Sequence, residues 1–207
     1  MGFYSRVIFP RLLDWSMSGP PMEDYRSRLL AGVEGDVLEI GFGTGLNLPF
    51  YPERVQRLVA LDVNPAMPAL AKKRIAASAI AVDYRVLDGE SLPFSDASFD
   101  CVVSTWTLCS IRRVEQALAE VRRVLRPGGR FFFVEHGLSP DPDVAVWQHR
   151  LTPMQRVIAD GCHLDRDIAA LVKNAGFALV QLEQQYAEGL SSVLGYFSLG
   201  IAAKPES

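Results

Sequence analysis

Between residues 37 and 136, short apolar runs alternate with helical stretches, and this alternation constrains the fold more than any other feature. VLEIG (37–41), RLVALD (57–62), VDYRVL (82–87), FDCVVSTW (99–106) and RFFFVEH (130–136) read as strands. PAMPALAKKRIAAS (65–78) reads as a helix. So does 114–125, where Val114, Ala117, Leu118, Val121, Val124 and Leu125 recur at helical spacing before Pro127-Gly128-Gly129 ends it. Strands and helices in this order imply a parallel sheet with right-handed crossovers, an α/β doubly wound fold of Rossmann-like type. Upstream, 21–33 is predicted helical, with Met22, Tyr25, Leu29 and Leu30 on one face. Downstream, 137–164 carries Pro140, Pro142 and Pro153 and reads as an irregular insertion over the site. A helix (165–175) stopped by Gly176 and strands at 177–186 and 193–203 follow.

The chain has 207 residues, 49% apolar and 22% charged, which are globular proportions. The reading is one domain: a helical cap (1–33), a cofactor-binding core (34–137), the insertion (138–164) and a C-terminal helix with strands (165–207). A net charge of -3 gives no basic excess, so nucleic acid is not an expected partner. Three cysteines without a C-x-x-C pair propose neither a disulfide framework nor a structural zinc site. The start, GFYSRVIFPRLLDWSMSG, is apolar but interrupted by Arg6, Pro10, Arg11 and Asp14, which is too broken for a membrane span or a secretory signal. It reads as a helix covering a pocket, with a peripheral membrane contact as the alternative. The expected location is cytoplasmic or membrane-peripheral.

The most specific local signal is VLEIGFGTGLNL: a strand, Glu39, then Gly41, Gly43 and Gly45, then a helix start. Such glycines let the backbone turn tightly and let a ligand touch the main chain. A dinucleotide fingerprint would place a small residue at 46, where this chain has Leu46, and no Gly-Lys-Ser/Thr follows to make a P-loop. Glu39 directly before the loop is awkward beside a pyrophosphate, which disfavours NAD. It suits a ligand with an ammonium group, such as S-adenosylmethionine. Asp62 ends the second strand 21 residues after Gly41, placed to accept both hydroxyls of a ribose or to cap the helix that follows. Asp88 at the end of the third strand either meets an adenine amino group or makes a plain Asp-Gly turn with Gly89. Glu90 reads as a solvent-facing turn residue.

VLEIGFGTG, LVALDVNPAM, DGESLPFSDASFDCVV and EVRRVLRPGGRFFFVEHG, in that order over about 35–137, resemble the successive motifs of class I S-adenosylmethionine-dependent methyltransferases. The resemblance implies a seven-stranded sheet, mostly parallel with the last strand antiparallel. It also implies that Glu39, Gly41, Gly43 and Gly45 form the cofactor loop. Asp62, with Val63 beside it, takes the ribose, and Asp88 with Gly89 meets the adenine. The product would be S-adenosylhomocysteine. STWTLCSI (104–111), FVEHG (133–137), ADGCHLDRD (159–167) and GYFSLGIA (195–202) further resemble the methyltransferase-like thiol S-methyltransferases. Animal members carry a membrane anchor of a length this chain does not show. Similar short bacterial chains resemble phospholipid N-methyltransferases.

Methyl transfer from a sulfonium asks mainly for alignment and exclusion of water. The expected acceptor is small or lipid-like, with a thiol favoured. The alternatives are phosphatidylethanolamine, or a non-catalytic protein that only binds the cofactor. Thr105 is placed to face the methionine part of the cofactor. Trp106 and Leu108 are candidates for walling the methyl site, and the resemblance implies that Tyr4 folds back over the cofactor carboxylate. His136, where the fifth strand leaves the sheet, is the candidate base or acceptor orienter. Cys109 is not expected to be a nucleophile, because the reaction needs no covalent enzyme intermediate. Asp160, Cys162 and His163 cluster in sequence, but their spacing fits no zinc pattern, so no metal is expected.

Overall fold

A computed structural model describes residues 3–206. Seven strands form a single sheet in the order β3-β2-β1-β4-β5-β7-β6. They are β1 (Gly35–Ile40), β2 (Val55–Asp62), β3 (Val82–Val86), β4 (Phe99–Thr105), β5 (Leu125–His136), β6 (Ala178–Tyr186) and β7 (Tyr196–Ala203). β1 pairs in parallel with β2 and β4, and β4 with β5; β7 runs antiparallel between β5 and β6. The order reverses between β1 and its two neighbours, so the carboxyl ends of β1, β2 and β4 surround a crevice where such sheets hold ligands.

The helices are α1 (Phe9–Met17, preceded by a π-helical turn at Tyr4–Ile8), α2 (Pro20–Leu30), α3 (Met67–Ala77), α4 (Val114–Val124), α5 (Pro142–Ile158) and α6 (Ile168–Asn174). Strand periodicity divides the core between the two faces of the sheet. On β5, Phe132 and Val134 join one buried cluster with Tyr25, Leu29 and Leu30 of α2. Phe131 and Phe133 join the other, with Leu118 and Val121 of α4 and Ile168 and Val172 of α6.

Three local expectations change. Segment 137–164 is not irregular, because α5 fills 17 residues of it. Asp141 caps this helix by accepting from the amides of Asp143 and Val144, and Pro142 occupies the first turn, where proline is tolerated. The three prolines therefore mark a helix start and an interior kink site rather than a loop. Gln148, 1% exposed, fastens α5 down: it accepts from Ser139 N at 2.8 Å and donates to the carbonyls of Gly137 and Val193, each at 3.1 Å. After the glycine loop the chain makes only a 3-10 turn, Leu48–Phe50, since Pro49 and Pro52 prevent a longer helix. Strand β5 begins at Leu125, and Pro127-Gly128-Gly129 form a bulge within it opposite Asp100.

Phe133 and Gly200 face each other across β5 and β7. A Cβ at Gly200 would lie 2.3 Å from Phe133 Cζ, on a ring that is fully buried and has nowhere to move. Gly200→Ala should therefore destabilise the fold by about 1–3 kcal/mol. A lower midpoint in urea unfolding, with the slope preserved, is the expected result; an unchanged midpoint would show that the sheet relaxes around the ring.

Candidate active site

The glycine loop turns at Gly41, Gly43 and Gly45, with φ of 77°, 58° and 80°, a region that side chains avoid. A Cβ at Gly41 would overlap Thr107, so this turn also needs glycine for packing. A Cβ at Gly43 would meet nothing nearer than Gly41 O at 4.0 Å, so the loop presents open main chain there. Asp62 braces it: one oxygen accepts from Gly43 N at 2.7 Å and the other from Asn64 N at 2.8 Å. Burial raises the Asp62 carboxyl, and the negative charge of Asp160 adds to this. A loop of open main chain beside a carboxylate at a strand end fits a nucleoside, and no side chain of the loop competes for the space.

Glu39 does not face that space. It is 1% exposed, and its oxygens accept from Asn47 Nδ2 and Tyr51 OH, both at 2.8 Å. Burial pushes its carboxyl up to about 7, against the pull of those two donors and the charge of Arg26. Asn47 Nδ2 also reaches Thr105 Oγ1 at 3.1 Å, and Arg26 Nε donates to Asn47 Oδ1 at 3.0 Å. Arg26 is itself buried, which lowers its guanidinium to about 10, and it lies 4.9 Å over the ring of Trp106. The direct ammonium contact expected of Glu39 thus gives way to a buried network that joins Glu39 through Asn47 to Thr105. Asn47, Tyr51 and Arg26 were not picked out from sequence. The LNLPFY segment after the loop carried the signal, since an Asn followed by an aromatic has no helical pattern to serve.

Past β3, Asp88 is exposed and accepts from Glu90 N at 2.9 Å, while Gly89 is buried against Ile40. Both the turn and an exposed carboxylate at the strand end are therefore present. Val63 next to Asp62 is 55% exposed. Glu90 is not solvent-facing: it is 6% exposed and binds Arg113 through both the backbone amide and the guanidinium, at 2.8 and 2.5 Å.

At the end of β4, Trp106 adopts a positive φ of 49°, donates its amide to Val134 O at 2.7 Å, and packs edge-on against Tyr25 and Phe197. Its buried indole nitrogen has no hydrogen-bond partner among the described residues. Leu108, expected in the wall, instead lies in the core on the α4 face at 1% exposure, so it does not line the site. His136 sits at the end of β5, its ring 5.0 Å from that of Phe197. Its Nδ1 faces the sulfurs of Cys162 and Cys109, so a proton-accepting role would fall to Nε2. The neighbouring Asp160 and His163 do not join that group.

Two segments close over this edge. Asp14 of α1 accepts from Thr44 Oγ1 at 2.5 Å and from Arg74 at 2.7 Å, and Arg74 also donates to Thr44 O. This fixes α1 to the middle of the glycine loop. Tyr4 OH donates to Ile158 O at 2.7 Å, so the N-terminal turn meets the end of α5 rather than the loop.

A family model for a methyltransferase domain matches residues 38–133. A thiol S-methyltransferase of Homo sapiens is 41% identical, over 75% of this chain and 66% of its own length. The chain therefore spans just under two thirds of that relative. A phosphatidylethanolamine N-methyltransferase of Cereibacter sphaeroides is 28% identical, over 86% of this chain and 89% of its own. The N-methyltransferase NodS of Bradyrhizobium japonicum, solved with S-adenosyl-L-homocysteine, shares the fold with a TM-score of 0.70 at 18% identity, over 98% of this chain and 95% of that one. The ordered motifs, the sheet order and the relatives agree, and the chain carries a methyltransferase domain of the S-adenosylmethionine-dependent kind.

Proposed function

We propose that the chain binds S-adenosylmethionine across the glycine loop and moves its methyl group to the sulfur of a small apolar thiol. The observation that carries this is the acceptor side of the site, where Trp106, Tyr25 and Phe197 stack edge to face beside His136; the imidazoles paired with a carboxylate among the described residues are His149 and His163, both on Asp165, and not His136. A thiol, with a pKa of about 8.5, is partly ionised near neutrality and needs little help to become a nucleophile. An alcohol would need a base with a partner to orient it. The 41% identity to a thiol S-methyltransferase points the same way. S-adenosylmethionine supplies a methyl group already activated on a sulfonium. The residues bind, align and exclude water: Asp62 on the ribose, Asp88 and Gly89 at the adenine end, and Asn47 and Thr105 at the methionine end.

A phospholipid amine is the second reading. It is favoured by the relative matched along most of both chains. The surface supports it too: Leu12 and Trp15 on α1 and Trp147, Met154 and Val157 on α5 are 48%, 79%, 52%, 53% and 75% exposed. Such a face suits a peripheral contact with a lipid interface, through which either acceptor could arrive. No helix among the described residues is long and apolar enough to cross a membrane.

An acceptor screen with labelled methyl donor separates the readings. Alkyl thiols, phosphatidylethanolamine vesicles and small phenols are the arms, with S-adenosylhomocysteine as the common product. Label on thiol is expected. Label confined to phospholipid would overturn the thiol assignment, and no S-adenosylhomocysteine in any arm would favour a protein that only binds the cofactor.

Asp62→Ala should lower calorimetric affinity for S-adenosylhomocysteine at least tenfold, about the effect of losing one or two charge-assisted hydrogen bonds. Unchanged affinity would remove Asp62 from the ribose site. Asp14 ties α1 to Thr44 in the middle of the glycine loop, and Arg74 joins both. Exchange of cofactor should then require α1 to lift from Thr44. Asp14→Ala should speed cofactor dissociation in stopped-flow fluorescence by roughly three- to tenfold, the loss of a half-buried ion pair. Equal dissociation rates would show that α1 plays no part in retention.

A further inference from the structure

Three side chains from three separate segments meet at the acceptor end of the sheet. Cys109 Sγ lies 3.4 Å from Cys162 Sγ and 4.0 Å from His136 Nδ1, and Cys162 Sγ lies 3.8 Å from the same nitrogen. Both cysteines are buried, at 1% and 4% exposure. Backbone contacts hold each ligand-bearing segment in place. The Cys109 amide donates to Glu135 at 3.2 Å, and the next residue of that strand is His136. His163 N donates to Cys109 O at 2.9 Å, which draws Cys162 against Cys109. The cluster is therefore positioned by the chain, without help from the contacts between its own sulfurs and nitrogen.

Its dimensions match a metal site. A triangle with these sides has a point about 2.2 Å from all three corners, against Zn–S of 2.3 Å and Zn–N of 2.0–2.1 Å. Two sulfurs and an imidazole nitrogen are a soft donor set, which selects zinc over magnesium or calcium. We propose that Cys109 Sγ, Cys162 Sγ and His136 Nδ1 bind one zinc ion, leaving a fourth position for water or an external ligand. Two cysteines, one histidine and an open position is a donor set used by catalytic zinc centres. Binding releases the two thiol protons to solvent, and the two thiolates then balance the charge of the ion. The ion ties the segment after β4 and the segment after α5 to the end of β5. It also occupies Nδ1 of His136, so any effect of that residue on turnover arises through the ion or through Nε2.

The test uses the full chain, reduced, freed of metal with chelator, then supplied with Zn²⁺ or Co²⁺. About one zinc per chain should survive desalting, and cobalt should give a near-ultraviolet thiolate charge-transfer band. Cys109→Ser and Cys162→Ser should each weaken zinc at least tenfold, whereas Cys101→Ser, a buried cysteine of β4 outside the cluster, should keep it. Circular dichroism of each variant separates lost ligation from lost fold, and the wild-type measurements stand without the variants. Folded, reduced protein that retains less than about a tenth of an equivalent of zinc and gives no charge-transfer band overturns the proposal. So does formation of a Cys109–Cys162 disulfide on mild oxidation with no zinc retained by the reduced form, which would make the pair a redox couple.

Discussion

The geometry of the acceptor side depends on one buried carboxylate. Glu135, 0% exposed on β5, accepts from the amides of Thr107, Leu108 and Cys109 and from Ser104 Oγ, at 2.9, 2.9, 3.2 and 2.9 Å. Burial alone would push such a group toward its neutral form, and four donors aimed at it act in the opposite direction. A carboxylate that gathers three successive amides converts a loose segment after a strand into a fixed one. Trp106 sits directly before those amides and His136 directly after the carboxylate. The positive φ of Trp106, its place under Arg26, and the meeting of Cys109 with His136 all follow from that one clamp.

A second buried carboxylate organises the cofactor side differently. Glu39 ends up among neutral donors with Arg26 and Asp62 as charged neighbours of opposite sign, and Arg26 is held through Asn47. A carboxyl raised to about 7 beside a guanidinium lowered to about 10 describes a pair in which each charge suffers from burial and neither fully compensates the other. Asn47, 2% exposed, lies inside this network and links it to Thr105 Oγ1 at the end of β4. Network and clamp meet at Trp106, which touches Arg26 from one side and Phe197, next to His136, from the other.

The sheet was legible in the sequence because a parallel strand buried on both faces is a short, mostly apolar run closed by a turn residue, as in VLEIG and RLVALD. The cofactor loop was legible because its glycines sit where the backbone must be left-handed. Helix α5 was not, since Pro140, Pro142 and Pro153 read as breakers until Asp141 is seen accepting from the amides of Asp143 and Val144, with Pro142 in the first turn. Glu90 was misread for a related reason: its partner, Arg113, lies 23 residues away and across the sheet edge. Leu108 lies in the segment whose amides Glu135 gathers, and its side chain turns to the α4 face, a direction set between elements rather than by any local pattern. Sequence spacing finds contacts made within an element; these arise between elements.

The same distinction explains the cysteines. Zinc spacings such as C-x-x-C reveal themselves because both ligands share a turn. Here Cys109 follows β4, His136 ends β5 and Cys162 follows α5, and adjacency in sequence pointed instead to Asp160, Cys162 and His163. What unites the three is the sheet itself: β4 and β5 are parallel neighbours, so their carboxyl ends lie side by side. Gln148 holds α5 over that edge, so the chain leaving it at 159–163 returns to the same place. A parallel sheet collects strand ends whatever their separation along the chain. Side chains at those ends therefore form sites that no spacing rule anticipates, and the cluster of Cys109, His136 and Cys162 is built there.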